Sequence, residues 1–309
     1  MSSSPTAAPV ATSAATSAAA PKAADEWRFP NRATPPGSSA YYSIRFAPAE
    51  LRDALAALFG WRFEVKRIID EVSDPGVARL KLDWWREEIL RSIDGEPRHP
   101  LSHLLAPAIT AFTLPAEPFL DQAQQVENEL YSRHSADQQA RQQALAQDRG
   151  ALFELICRCH GLTEPALAEP ATLANARDTG AWCEQVRRLR DSGLLLRRGR
   201  EVMPTGLLQA AGLGAEQLAS PQHRQQLPAL LTPLAATLSA SRPDTTGLPR
   251  ALRIQDRIHA ALLDELVRSG FDVVNQHIGL TPLRKLWIAW RTKAIAVDAH
   301  SDQLPFQGS

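Results

Sequence analysis

From Ala49 to Glu71 the large apolar residues Leu51, Leu55, Leu58, Val65, Ile68 and Ile69 recur every three or four positions. That period belongs to one face of an α-helix; a strand alternates its faces at every second residue. Pro48 suits a helix start, and Asp74-Pro75-Gly76 closes the run. A helix of this length with a single apolar stripe must bury that stripe against other elements, which sets the class of fold available to the chain.

The remaining segments agree with it. Val77 to Ile93, Pro100 to Ala111, Pro118 to Tyr131 and a longer run from Ala136 to Cys159 read as helices, as do Leu173 to Leu189, Pro228 to Leu238, Leu252 to Ser269 and Pro282 to Ile295. Thr205 to Ala210 and Ala215 to Ala219 read as short helices. Leu194-Leu195-Leu196 reads as a loop or short turn, and Ser241 to Gly247 as a loop. No alternating pattern of useful length appears, so the expected class is all-α. Residues 1–37 are mostly Ala, Ser, Thr and Pro; lacking large apolar side chains to offset the entropy of ordering, they are expected to form a disordered tail. A single helical domain is expected over 38–298, with a C-terminal tail over 299–309.

Charge narrows the function classes. Lys plus Arg and Asp plus Glu both total 34, so no net field recruits nucleic acid. The arginines at 187, 188, 190, 197, 198 and 200 alternate with Glu184, Asp191 and Glu201 and read as a solvated basic patch, with contact to anionic lipid headgroups as the alternative. Cys157, Cys159 and Cys183 form no Cys-x-x-Cys pair and read as reduced core residues. His99 and His103 flank Pro100 and read as surface-turn residues. No apolar run reaches the roughly 18–20 residues that span a bilayer, and no signal peptide is evident, so a cytoplasmic protein, peripheral to a membrane at most, is expected.

Four stretches occur in a telling order. Ser38-Ser39-Ala40-Tyr41-Tyr42 is followed by Leu51-Arg52-Asp53-Ala54-Leu55, then by Phe59 through Glu71, then by Leu82-Asp83-Trp84-Trp85-Arg86. Further on come Gly180 through Asp191, Arg197-Arg198-Gly199-Arg200-Glu201-Val202-Met203-Pro204, and Leu266-x-x-Ser269-Gly270-Phe271-Asp272-Val273. This succession resembles the squalene/phytoene synthase family across roughly Ser38 to Thr292. The resemblance implies a single isoprenoid-synthase-like bundle around a central cavity, with two aspartate-rich helices facing each other across its mouth. In such synthases those acids hold magnesium, which binds the diphosphate of an isoprenoid substrate and assists its departure.

The chain departs from the family where that chemistry is expected. Lys66 and Arg67 stand at the leading aspartates of the first motif, leaving Asp70 and Glu71; Phe63 stands where an arginine usually precedes them. The second motif keeps Asp191 but has Leu195 at its partner acid, with Glu184 and Arg187 for the usual Gln and Asn. Ala146 replaces a tyrosine if Gly150 is the glycine of the family's Ala-Gly turn.

Three arrangements are open: Lys66 or Arg67 paired with Glu184 or Asp191 in place of the metal; Lys66, Arg67 and Arg187 binding a diphosphate directly; or a residual magnesium site of Asp70, Glu71, Asp191 and Glu184. Ser39 and Arg52 stand where the family contacts diphosphate, and serve equally as a helix cap and a surface ion pair. Trp84-Trp85 reads as core packing. These departures point to a non-catalytic or altered member that binds an isoprenoid or lipid, with no cofactor and an accessory role; one branch of the family includes an assembly factor for a respiratory complex, so a protein of such a complex is a possible partner. The alternative is an active, magnesium-dependent prenyltransferase joining two isoprenoid diphosphates head to head.

Overall fold

The computed structural model describes residues 24–131, 134–214, 217–218, 220 and 225–293. Among them every regular element is helical. In chain order the α-helices are α1 (Ser39–Arg45), α2 (Arg52–Glu71), α3 (Pro75–Ile93), α4 (Ser102–Phe112), α5 (Glu117–Leu130), α6 (Gln138–Leu145), α7 (Ala151–Gly161), α8 (Pro170–Arg190), α9 (Ser192–Arg197), α10 (Thr205–Ala210), α11 (Leu227–Ala240), α12 (Arg250–Arg268) and α13 (Pro282–Arg291). Helix starts follow the local chemistry. Ser38 accepts from Tyr41 N at 3.0 Å, Asp74 from Val77 N at 2.9 Å, and Asp137 from Ala140 N at 2.8 Å, each satisfying an orphan donor of a first turn.

The apolar stripe of α2 is buried as its period requires: Leu55, Leu58, Trp61 and Val65 are fully inside. Trp61 meets Trp85 of α3 and Phe119 of α5 edge-on, at centroid distances of 5.3 and 5.5 Å. Trp85 is core as expected, whereas Trp84 is partly exposed beside Arg91. Arg86 is bound to Asp83 and Glu127 at 2.7 and 2.6 Å. The three cysteines are buried free thiols, and burial pushes those of Cys157 and Cys159 up to about 12. His99 is no surface-turn residue: it is half-buried against Trp85, with ring centroids 4.7 Å apart.

Three further sequence expectations change. Residues 24–37 are packed on the bundle, although composition assigned them to the tail. Trp27 is 3% exposed, and Asn31 Nδ2 donates to the carbonyls of Trp27 and Ala56 at 2.7 and 3.2 Å. Gly60 makes room for it, since a Cβ there would stand 2.9 Å from Trp27 Cε3. The run expected as one helix from Ala136 to Cys159 is α6 and α7 joined by a π-helical turn, Ala146–Gly150. Leu194 to Leu196 belong to the short helix α9 rather than to a loop. Residues 1–23 and the C-terminal tail lie outside the described residues, as does most of the short helix expected at Ala215 to Ala219.

Candidate functional site

Two close approaches set the site. A Cβ on Gly150 would stand 2.6 Å from the Arg177 carbonyl oxygen, and one on Gly180 would stand 2.6 Å from the Arg149 carbonyl oxygen. The π-helical turn and α8 therefore cross almost backbone to backbone, which only glycine at both positions permits. The crossing holds Asp148 and Arg149 against the Glu184 face of α8, with α2 presenting Arg62 and Lys66 from the other side.

Between these elements lies a cavity of about 350 Å³, open on one side. Its wall includes Ser38, Ser39, Phe59, Arg62, Phe63, Lys66, Arg67, Asp70, Arg149, Leu152, Arg187, Asp191, Leu194, Leu195, Arg198 and Arg200. Both motif helices thus contribute to one cavity, and Asp70 and Asp191 both line it. Ser39 lines it as well, but the cap of α1 is Ser38. Arg52 stands elsewhere: its Nε donates to the Ala47 carbonyl at 3.2 Å, off the cavity wall and, among the described residues, in no ion pair. Glu71 is also apart, paired with Arg67 at 2.9 Å and lining a separate groove with Trp84 and Trp85.

The ion pairs differ from those the sequence offered. Lys66 Nζ binds Asp148 at 2.9 Å and Glu129 at 3.0 Å, and reaches neither Glu184 nor Asp191. Arg67 binds Glu64 at 2.8 Å besides Glu71. Arg62 holds Asp148 through two parallel bonds of 2.8 and 2.9 Å and lies 3.2 Å from Glu184. Glu184, fully buried, is also bound by Arg149 and Arg187, with Arg188 at 3.8 Å. Arg187 reaches on to Asp191 at 2.9 Å, which Arg190 binds at 2.7 Å. At the rim Asp70 accepts from Arg198 at 2.7 Å and from Arg200.

Electrostatics follow from this packing. Burial acts to raise the Asp148 carboxyl, but the charges of Arg62 and Lys66 outweigh it and hold it well below the usual carboxylate range. Burial likewise opposes ionisation of Glu184, and Arg187 and Arg62 override it. Glu129 is held low by Lys66 and Arg188 against the same penalty. Within the network eight cations (Arg62, Lys66, Arg149, Arg187, Arg188, Arg190, Arg198, Arg200) meet five carboxylates (Asp70, Glu129, Asp148, Glu184, Asp191), leaving positive charge in excess. Among the described residues no three His, Cys, Asp or Glu side chains converge as a metal site would require.

No motif in the sequence marks Arg62, Glu129, Asp148 or Arg149, and Arg188, Arg198 and Arg200 read there as part of a solvated patch. Their one available signal was position: Asp148 and Arg149 directly precede Gly150, and Arg62 and Lys66 lie one helical turn apart on α2.

The sequence profile of squalene/phytoene synthases matches residues 33–287. The chain belongs to the squalene/phytoene synthase family. A presqualene diphosphate synthase of Sinorhizobium fredii is 27% identical over 272 residues, covering 84% of this chain and 95% of the relative. A phytoene synthase of Rhodobacter capsulatus is 27% identical over 270 residues, covering 82% of this chain and 76% of the relative. Among solved structures, a dehydrosqualene synthase in complex with ligand superposes with a TM-score of 0.66 at 17% identity, over 82% of this chain and 90% of that one. The squalene synthase HpnC from Alicyclobacillus acidocaldarius superposes with a TM-score of 0.58 at 19% identity, over 78% and 92%. These likenesses identify the fold as the isoprenoid-synthase bundle.

Proposed function

We propose that this squalene/phytoene synthase-family protein binds a phosphorylated isoprenoid or lipid in its cationic cavity without metal, and acts as a non-catalytic or altered, accessory member. The observation that carries this reading is the state of the acids on the cavity wall. Asp70 is bound by Arg198 and Arg200, and Asp191 by Arg187 and Arg190. The donor set does not fit a magnesium cluster: Glu184 is sealed beneath arginines, Glu71 faces a different groove, and a divalent cation at Asp70 would meet two guanidinium groups first. Arginine suits the replacement role, since its planar fork of donors matches phosphate oxygens and stays charged. Phe59, Phe63, Leu152, Leu194 and Leu195 give the same cavity an apolar wall for the start of a hydrocarbon chain.

The second reading, head-to-head condensation of two isoprenoid diphosphates, is favoured by the names of the relatives. One pair of experiments separates the two. Titration of the protein with farnesyl diphosphate in excess EDTA is expected to show saturable binding that added magnesium does not strengthen. Incubation with farnesyl or geranylgeranyl diphosphate, magnesium and NADPH is expected to yield no squalene, no phytoene and no diphosphate above a heat-killed control. Diphosphate release that Asp70→Asn or Asp191→Asn abolishes would overturn the proposal in favour of the condensing enzyme. Mass spectrometry of co-purifying molecules would identify the ligand directly.

A further inference from the structure

Helix α13 buries little of itself. Ala289 is inside and Ile288 packs partly on the core, but Leu283, Trp287 and Trp290 are 77, 55 and 69% exposed, and Leu286 lies beside them. Positions 283, 286, 287 and 290 fall on one stripe of the helix, opposite the side that packs on α12 and α1. A stripe with two tryptophans turned to solvent is expensive unless something covers it.

The surrounding charge says what. Residues 281–293 carry Arg284, Lys285, Arg291 and Lys293 and no acid, in a chain whose total charge is balanced. Arg284 is tied to Glu265, but Arg291 lies on the Trp287 ring at 4.9 Å and pairs with no carboxylate among the described residues. Lys293, just past the end of the helix, is exposed as well. Tryptophan rings flanked by lysine and arginine, on a helix far too short to span, are the makings of an in-plane interfacial helix.

The stripe also has a fixed relation to the cavity. Lys285 Nζ donates to the Gly37 carbonyl at 3.0 Å, and Pro282 lies next to Gly37, its Cγ 3.5 Å from where a Cβ would stand. The next residue, Ser38, is part of the cavity wall. Helix α13 is therefore fastened to the cavity rim.

We propose that the exposed face of α13 docks on an anionic phospholipid bilayer and places the cavity rim at the membrane, from which a phosphorylated lipid would enter. The docking stands on α13 alone; the entry route rests on the cavity reading above. Tryptophans settle among the headgroups, while Arg291 and Lys293 meet lipid phosphates.

The test is flotation of the full chain with vesicles of phosphatidylcholine containing phosphatidylglycerol, against vesicles of phosphatidylcholine alone. The protein is expected to float with the anionic vesicles, less so at high salt, with tryptophan emission shifted to the blue. The double variant Trp287→Ser/Trp290→Ser should lower partitioning on the order of tenfold or more while leaving the circular-dichroism melt unchanged. Leu80→Ser, which alters an exposed leucine on α3, should leave flotation as it was. Absence of anionic-vesicle binding, or equal binding by the tryptophan variant, would overturn the proposal. So would a wild-type dimer in sedimentation that the double variant dissolves without any flotation, or flotation gained only after removal of residues 294–309. Farnesyl diphosphate binding in vesicle-free solution is read separately, so failure of the docking and failure of the cavity reading are distinguishable.

Discussion

Asp70 Oδ1 accepts a hydrogen bond from the guanidinium of Arg198 at 2.7 Å, joining helix α2 to the segment after α9 across the rim of the cavity. Arg200 binds the same oxygen. Arg198 and Arg200 of the basic segment are thus engaged by Asp70 of the first motif. This rim pair and the pairs around Glu184 differ in kind. Asp70 and Arg198 have side chains 38 and 45% exposed, whereas Glu184 has no exposed surface. Water screens the first and not the second.

Glu184→Gln should therefore destabilise the fold by about 3–5 kcal/mol, because it leaves several buried cations without their shared counter-charge. Asp70→Asn should cost less than about 1 kcal/mol, as expected for an exposed pair. Urea denaturation followed by circular dichroism measures both. Comparable losses for the two variants would mean that Glu184 is not the centre of the buried network.

What sequence conveyed, and what it withheld, divides along the same line. The helices were legible because their apolar residues keep a helical period, and the order of motifs placed Asp70 and Asp191 on one cavity. Partners were not legible. Lys66 and Asp148 are 82 positions apart, and which acid meets Lys66 depends on how α2 and the π-helical turn rotate against each other. That rotation is set by the missing Cβ atoms of Gly150 and Gly180, a tertiary constraint with no signature in local charge. Trp27 was hidden for another reason: two aromatic residues, Trp27 and Phe29, in an Ala- and Pro-rich segment barely change its composition, yet Trp27 fills the space that Gly60 leaves open.

Trp27→Ala should lower stability by about 3–5 kcal/mol, the range for truncating a buried large aromatic. Deletion of residues 1–37 should do at least as much, since it also removes the Asn31 bonds to the carbonyls of Trp27 and Ala56. Thermal melts of both variants give the answer. A deletion that melts like the full chain would return residues 24–37 to the tail.

Acid should weaken the protein before its carboxylates titrate. Burial pushes His160 down to about 4, with Glu50 opposing weakly, and its Nε2 has no partner. The folded state therefore keeps His160 neutral while the unfolded chain takes up a proton near pH 6.5, so stability falls as pH drops from about 6.5 to about 4. The loss amounts to roughly 3 kcal/mol for a shift of that size. Burial shifts His259 in the same direction. Asp148 and Glu184, whose folded values are depressed, keep their contribution above the ordinary carboxylate range and lose it only below about pH 4. Urea midpoints across this range should fall with acid, and His160→Gln should flatten the upper part of the curve. An unchanged slope would show that His160 takes up its proton in the folded state.

The rim pair also decides between the two readings of the cavity. If Asp70 serves to hold a metal, Asp70→Asn removes a ligand and weakens binding of a diphosphate in magnesium. If the cavity binds the diphosphate through its own cations, Asp70 competes with the ligand for Arg198 and Arg200, and neutralising it releases both guanidinium groups. Asp70→Asn should then tighten farnesyl diphosphate binding in EDTA, by about threefold to tenfold, since one charge near a partly exposed site is worth on the order of 1 kcal/mol. Arg67→Gln/Arg198→Gln should act in the opposite sense. Each substitution removes a charge-assisted donor worth about 1.5–3 kcal/mol, so together they should weaken binding on the order of a hundredfold. Isothermal titration of the three proteins measures both effects. Weaker binding by Asp70→Asn, restored in neither buffer, would contradict metal-free capture at this cavity, because no cation bound to Asp70 in the structure is lost when its charge is removed.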